Sequence, residues 1–427
     1  MTMYQRGLFC LLCFVGASGA AQTAASALPK SDSELRYVVY LSRHGVRSPT
    51  GKPAQYNSFS NGTWPEWPVA PGILTPHGFH LMELFGAYDR LLLAHEGLLP
   101  PSGCSEAQHV TIYADSDQRT RETGKALARG LMPGCDLPVR ALPEGTNDPL
   151  FHALGAPGVE ADAELAKAAV AGRLSGNPAN LTRAYKPQLL AFDHILACAK
   201  VPPNKSTRTS LLDIPAKLSQ GEGDHLVDLK GPLNTASTLA ENLLLEYTEG
   251  MDKSQVAWGC ADADAIAAAL SLHAAATDYT ERTTVIAQAQ ASKLLDGIRA
   301  SLQQAADGTP VSGSLGKPGD HVLILVGHDT NQENIAGLLN LTWIIDGRRD
   351  DTPPGGSLVF ELWHSKSTGK YSVRTFFTAQ TMEQMRDSVP LTESQGPDRT
   401  AVYIPGCSGP DLSCDLHDFS SLLERKP

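Results

Sequence analysis

Positive charge is in short supply in this 427-residue chain: 35 Lys and Arg stand against 46 Asp and Glu, for a formal net charge of −11. That balance disfavours non-specific binding to nucleic acid, and an anionic ligand has to be drawn by a local basic site against the global field. Aromatic residues are also few, at 6%, and no internal repeat is present. Beyond the N-terminal leader no run is long and apolar enough to span a bilayer. What is present, 42% apolar and 19% charged residues, is the composition of a folded globular protein. The length predicts two or three lobes.

Cysteine is sparse, with eight in all. Cys10 and Cys13 lie in "GLFCLLCFVGASGA", which follows Arg6 and precedes small residues at Ser18-Gly19-Ala20 and Ala25-Ser26-Ala27. A charged start, a short apolar core and an A-x-A-like end predict a secretory signal peptide over residues 1–27. Leu12 stands where a lipoprotein cleavage site would need a small residue. The mature chain is therefore expected to be periplasmic or secreted, with no membrane contact after cleavage. Its remaining cysteines are Cys104, Cys135, Cys198, Cys260, Cys407 and Cys414. They include no C-x-x-C pair, so a zinc or thioredoxin-type site has little support, and their even number predicts disulfides. Cys407 and Cys414 flank the short loop "CSGPDLSC" and are natural partners; spacing does not rank the other pairs.

Three segments share a strand–turn–helix grammar. In the first, "LRYVVYLS" runs into Arg43-His44-Gly45 and Arg47. In the second, Val110 to Ala114 reads as strand and Gln118 to Leu131 as helix. In the third, Val322 to Val326 reads as strand, and Ile335, Leu338 and Leu339 recur at helical spacing. Continuous apolar runs of this length suit strands covered on both faces. Ligands of such sheets bind beyond the carboxyl ends of the strands, where this chain carries Arg43, His44 and Arg47; Asp115, Asp117 and Arg119; and His328 and Asp329.

The middle has another texture. From Asp148 to Ser301 the Ala/Leu/Glu-rich windows are helical by propensity and spacing, and "ADGTPVSGSLGKPGD" marks a return linker. "GGSLVFELWHS" and "KYSVRTFFTAQ" read as two further strands. The prediction is an α/β fold with a central, mostly parallel sheet flanked by helices, formed by residues 28–147 and 302–427. A mainly helical lobe, residues 148–301, is inserted into it.

Two fixed cations beside an imidazole make a poor core but a good cradle for a multiply charged anion. "RHGVRSPT" near the start of the mature chain, joined to "GHDTN" near its end, resembles the histidine acid phosphatase family, in particular its bacterial periplasmic phytases and glucose-1-phosphatases. The likeness extends through "WPEWPV", "LTPHG", "DSDQRTRETG", "DPLF", "AWG" and "DDTPPGGSLVFELW". It implies a phosphoglycerate-mutase-like fold and a phosphomonoesterase needing neither metal nor other cofactor. His44 would be the nucleophile, forming a phosphohistidine. Arg43, Arg47 and Arg119 would clamp the phosphoryl oxygens, His328 would add a donor, and Asp329 would protonate the leaving oxygen. Nearby cations would keep His44 unprotonated in mild acid.

The same resemblance puts Thr50 and Asp115 at the mouth of the phosphate pocket, with Lys52, Glu241 and Thr330 as further substrate contacts. "HDTN" leans toward the phytases. Gly51 and Thr238 replace a lysine and a methionine of those enzymes, and Thr277 replaces an aromatic; these departures lean toward sugar phosphates. The resemblance implies bridges Cys104–Cys135 and Cys407–Cys414. Cys198 matches half of a third family bridge whose usual partner is missing near Leu211, which leaves Cys198–Cys260. The partner expected is a small phosphomonoester such as phytate or a sugar phosphate, bound by a monomer.

Other readings have less behind them. His77, His80 and Glu83 share a helical face but lack the i, i+4 histidine pair of catalytic zinc motifs. "GSLGKPGD" has the wrong spacing for a phosphate-binding loop. Sequons at Asn61, Asn180, Asn204 and Asn340 matter only in a eukaryotic secretory host. A phosphomutase fits poorly with export, and a metal-dependent His-Asp phosphohydrolase lacks further His/Asp pairs at ligand spacing. An inactive phosphate-ester binding protein would not need both His44 and Asp329.

Overall fold

A computed structural model describes residues 32–202 and 208–424; the expected signal peptide, Cys10, Cys13 and the sequon at Asn204 lie outside the described residues. In chain order the strands are β1 (Ser33–Arg43), β2 (Val110–Ala114), β3 (Val139–Arg140), β4 (Lys217–Gln220), β5 (Val227–Lys230) and β6 (Val322–Gly327). They continue with β7 (Ile344–Ile345), β8 (Arg348–Arg349), β9 (Ser357–Ser365), β10 (Tyr371–Ala379), β11 (Asp398–Val402) and β12 (Ser413–Asp415). The main sheet runs β11-β10-β9-β1-β6-β2-β3, with β12 paired to β10. The pairings β1–β6, β6–β2 and β2–β3 are parallel, while β9 to β12 extend the sheet antiparallel beyond β1.

The strands are apolar without interruption because both faces are covered. Tyr37, Val39 and Leu41 of β1 join Leu323 and Leu325 of β6 in one core, and Val38 and Tyr40 join Val322, Ile324 and Val326 in another. The first face is covered by helices Thr284–Asp307 and Asp329–Leu339, the second by Pro76–His95 and Gln118–Leu131. The last two helices approach closely: a Cβ on Gly130 would stand 2.0 Å from the Glu83 carbonyl oxygen. Their contact therefore requires glycine, and it seats the helix that carries Arg119.

A third core is built from helices Ala163–Arg173, Lys186–Leu196, Pro232–Thr248 and Ala263–Thr280. Two features refine the expectation of a mainly helical lobe at residues 148–301. The β4–β5 hairpin lies inside this helical region. Helix Thr284–Asp307 crosses the expected boundary at 301/302: Ile286 packs on the helical core, whereas Leu294, Leu295, Ile298 and Leu302 pack on the sheet. Trp64 and Met382, distant in sequence, also enter the helical core. Helical periodicity identifies an apolar face but not the core that receives it.

Among the described residues three disulfides are present, Cys104–Cys135, Cys198–Cys260 and Cys407–Cys414, with Cα separations of 5.4, 5.8 and 5.2 Å. Among the described residues no helix is long and apolar enough to cross a membrane. His77 and Glu83 have structural partners: His77 Nε2 meets the Thr248 and Met385 carbonyls, and Glu83 accepts from Arg129.

Candidate active site

Backbone register brings the three strand ends to one level. Arg43 lies opposite Gly327, the His44 amide donates to the Gly327 carbonyl at 3.0 Å, and the Asp115 amide donates to the Val326 carbonyl at 2.9 Å. Helix Asp329–Leu339 starts at the same level, capped by His328, whose amide donates to Asn331 Oδ1 at 2.9 Å. The amino end of that helix adds a partial positive charge to the site.

His44 is 2% exposed. Its Nδ1 lies 2.9 Å from the Gly45 carbonyl. A carbonyl can only accept, so Nδ1 carries the proton and Nε2 keeps its lone pair. Burial holds the imidazole well below its ordinary pKa, and the Arg119, Arg47 and Arg43 guanidinium groups lower it further. Gly45 is required at the turn, since a Cβ there would stand 2.8 Å from Met82 Cγ. The Gly45 amide donates to Thr123 Oγ1, which donates to the Arg119 carbonyl, so the two phosphate-type motifs are tied together.

Arg43 is buried and fully engaged on one side. Its Nη1 donates to the Thr352 carbonyl at 2.6 Å, and its Nη2 meets Glu241 Oε1 and, at 3.0 Å, Asp329 Oδ2. Arg47 Nη2 reaches the same Glu241 oxygen at 3.3 Å. Arg119 Nη2 pairs with Asp117 at 2.5 Å and lies 3.4 Å from His328 Nδ1. The Nε atoms of Arg43, Arg47 and Arg119 are all buried and have no acceptor among the described residues. Three unmatched donors of this kind are costly unless an anion meets them.

Asp329 carries the opposite perturbation. Burial raises its pKa, but Arg43, His273 and Arg47 outweigh burial and hold the carboxyl below the usual range. Glu241 is likewise lowered, against its burial, by Arg43 and His273. His273 Nε2 lies 3.6 Å from Glu241 Oε2, and its Nδ1 is 2.9 Å from Ser237 Oγ.

Two expected substrate contacts already have partners within the protein. The Asp115 side chain is wholly buried, and its Oδ2 meets His328 Nε2 at 2.6 Å and His152 Nε2 at 3.0 Å. Glu241 faces the arginines. Asp115 is thus engaged by two histidines, and Glu241 by Arg43 and Arg47. Thr50 and Lys52 are exposed, and Thr330 is half-buried beside Asp329. Thr50 is still at the rim of the cradle: a Cβ built on Gly72 would lie 3.7 Å from Thr50 Cγ2 and 3.8 Å from Arg119 Nη1. Thr238 is exposed, and the Thr277 hydroxyl donates to the Ala274 carbonyl. His152 and His273 are the polar residues that motif reading passed over, although His152 directly follows "DPLF" and His273 ends "SLH".

Among the described residues, two groups bring metal-ligand atom types within 4.8 Å of one another: Asp115, His152 and His328, and Glu241, His273 and Asp329. In the first, both imidazoles turn Nε2–H groups, not lone pairs, to one carboxylate. In the second, the Arg43 guanidinium already pairs with both carboxylates and Arg47 pairs with Glu241. Both are ion-pair clusters.

The family model for the histidine phosphatase superfamily, branch 2, matches residues 34–378. The chain belongs to that family. This histidine phosphatase is 34% identical to the phytase AppA of Escherichia coli K12, covering 94% of the chain and 95% of the relative. It is 28% identical to the glucose-1-phosphatase of Salmonella typhimurium, over 91% of the chain and 92% of the relative. The Hafnia alvei phytase solved with tartrate superposes at a TM-score of 0.85 with 36% identity, covering 93% of this chain and 98% of that one.

Proposed function

We propose that this histidine phosphatase is an exported acid phosphomonoesterase that hydrolyses phytate and related phosphorylated polyols through a phosphohistidine at His44. The observation that carries the reading is the bare His44 Nε2 in the field of three arginines whose buried Nε–H donors lack acceptors among the described residues. Nε2 attacks phosphorus as the P–O bond to the alcohol breaks, and Asp329 gives its proton to the leaving oxygen. Water then attacks the phosphohistidine, its proton passes to the Asp329 carboxylate, and phosphate leaves with His44 restored. The arginines neutralise charge on the phosphoryl oxygens throughout.

Asp329 must be protonated for the first step, yet Arg43 and Arg47 favour its charged form. A bound phosphomonoester brings negative charge to those arginines and cancels much of their field. The carboxyl then gains proton affinity as substrate binds, which favours acidic working pH. The Arg6-led signal peptide over residues 1–27 supports export, and we take the working unit to be a monomer.

A second reading, a sugar-phosphate phosphatase with little phytate activity, has one observation in its favour. The cavity of about 310 Å³ that begins at Ser48, one residue past Arg47, adjoins the cradle without including its catalytic side chains; it is lined mostly by proline and aromatic residues, with Lys52 its sole cation and Glu66 its sole carboxylate. Phytate carries many phosphates and calls for more positive charge than that. The test is phosphate release from phytate and from glucose 1-phosphate, each across acidic to neutral pH with chelator present. Preference for phytate in acid, lost in His44→Ala, is the expected result. Preference for glucose 1-phosphate moves the substrate assignment, and full activity in His44→Ala overturns the mechanism.

A further inference from the structure

We propose that His152 is a positioning residue: it shares the single oxygen Asp115 Oδ2 with His328 and so governs how much of that carboxylate's charge reaches the phosphate cradle. The proposal rests on the reading of His328 as a phosphate donor.

Both imidazoles turn Nε2 to the same oxygen, His328 at 2.6 Å and His152 at 3.0 Å, and their ring centroids are 5.1 Å apart. Both imidazoles draw on Oδ2 alone, while Asp115 Oδ1 is buried without a partner among the described residues. The two histidines differ in what their other nitrogen meets. His152 Nδ1 lies 3.6 Å from Asp224 Oδ2, whereas His328 Nδ1 lies 3.4 Å from the Arg119 guanidinium. A second proton is therefore welcomed on His152 and resisted on His328. Access differs too: the His152 side chain is 25% exposed and that of His328 only 6%.

The charged and titratable groups around His152 come from every neighbouring element. Asp115 stands at the end of β2, Asp117 before helix Gln118–Leu131, Asp224 in the β4–β5 turn and His328 after β6. The Asp115 hydrogen bond raises the pKa of His152, with burial opposing and the three carboxylates assisting. Burial lowers that of His328; its bond to Asp115 opposes this, and Arg119 and His152 add to the lowering. A neutral His328, with its proton on Nε2 toward Asp115, has a bare Nδ1 and cannot donate from it to a phosphoryl oxygen. A charged His152 thus limits the pH range over which His328 is a donor.

The test is a histidine NMR titration of His328 in phosphate-free buffer, in wild type, His152→Asn and Asp224→Asn. Asparagine keeps a donor toward Asp115 but carries no charge. Because the His152 side chain is partly exposed, an effective dielectric of about 40 applies, and removing a unit charge about 5 Å away should raise the His328 midpoint by about one pH unit in His152→Asn. In Asp224→Asn, an exposed change that spares the fold, the midpoint should move the same way by less. The alkaline limb of kcat/KM should move with it. An unmoved His328 midpoint in the two folded variants overturns the proposal, as does a parallel loss of kcat/KM at all pH values with no displaced limb and no displaced midpoint. A displaced midpoint with an unmoved limb upholds the coupling and refutes the donor role of His328. Wild-type protein inactive on every phosphomonoester refutes the enzymatic reading, while the titration still judges the coupling.

Discussion

Glu241→Gln separates proton donation from phosphate binding. Glu241 and Asp329 share Arg43, and their carboxylate oxygens lie within 4.8 Å of each other. At that separation two unit charges at an effective dielectric near 20 interact by about 3 kcal/mol, which corresponds to roughly two pH units. Glu241 therefore raises the proton affinity of Asp329, and the neutral amide forfeits that help while still accepting from Arg43. The cradle meanwhile gains net positive charge, so substrate binds at least as well. For a sugar or inositol phosphate, whose alkoxide is a poor leaving group, kcat is expected to fall about 100-fold. For 4-nitrophenyl phosphate, whose leaving group needs little protonation, the loss should stay under about tenfold. Steady-state kinetics on both substrates at one acidic pH make the comparison. Equal losses on the two, or a KM that rises in step with the loss, would refute the assignment of Asp329 as proton donor under Glu241's influence.

Stability should depend on pH in the direction set by buried carboxyls outside the cradle. Burial pushes Asp89 and Glu246 up to about 8 and Glu333 up to about 7. Their unfolded values lie near 4, so the stability linked to these groups is fully present below pH ~4 and is lost as pH rises toward ~8. Calorimetry should show Tm falling across that interval, and Asp89→Asn should flatten the slope; an unchanged slope would remove Asp89 from the account. Replacing Cys198 and Cys260 together by serine opens a loop with a sequence separation of 62. The cost should be about 4 kcal/mol on the chain-entropy model, while kcat/KM below the lowered Tm stays within a few-fold. A large kcat/KM loss in the folded double variant would mean that the bridge shapes the site as well as the fold.

Much of this protein is legible in the chain alone. The strand–turn–helix units at Arg43, Asp115 and His328 announce themselves because apolar runs and the polar breaks that end them are local properties. The chemistry at those ends follows from residue types: guanidinium groups beside imidazole and carboxylate suit phosphate and little else. Tertiary structure decided what burial and distant pairing decide. Family resemblance places Asp115 at the mouth, and the fold sets it beneath two histidines, one of them His152 from a loop that motif reading passed over. Glu241 and His273 arrive from helices whose windows show only propensity, and they set the charge balance at Arg43 and Asp329. Helix Thr284–Asp307 spans two cores because its apolar stripe carries no mark of its partner. Identity and order are written residue by residue, whereas proton affinity depends on which charges folding brings within a few ångströms, and no local stretch of chain contains that information.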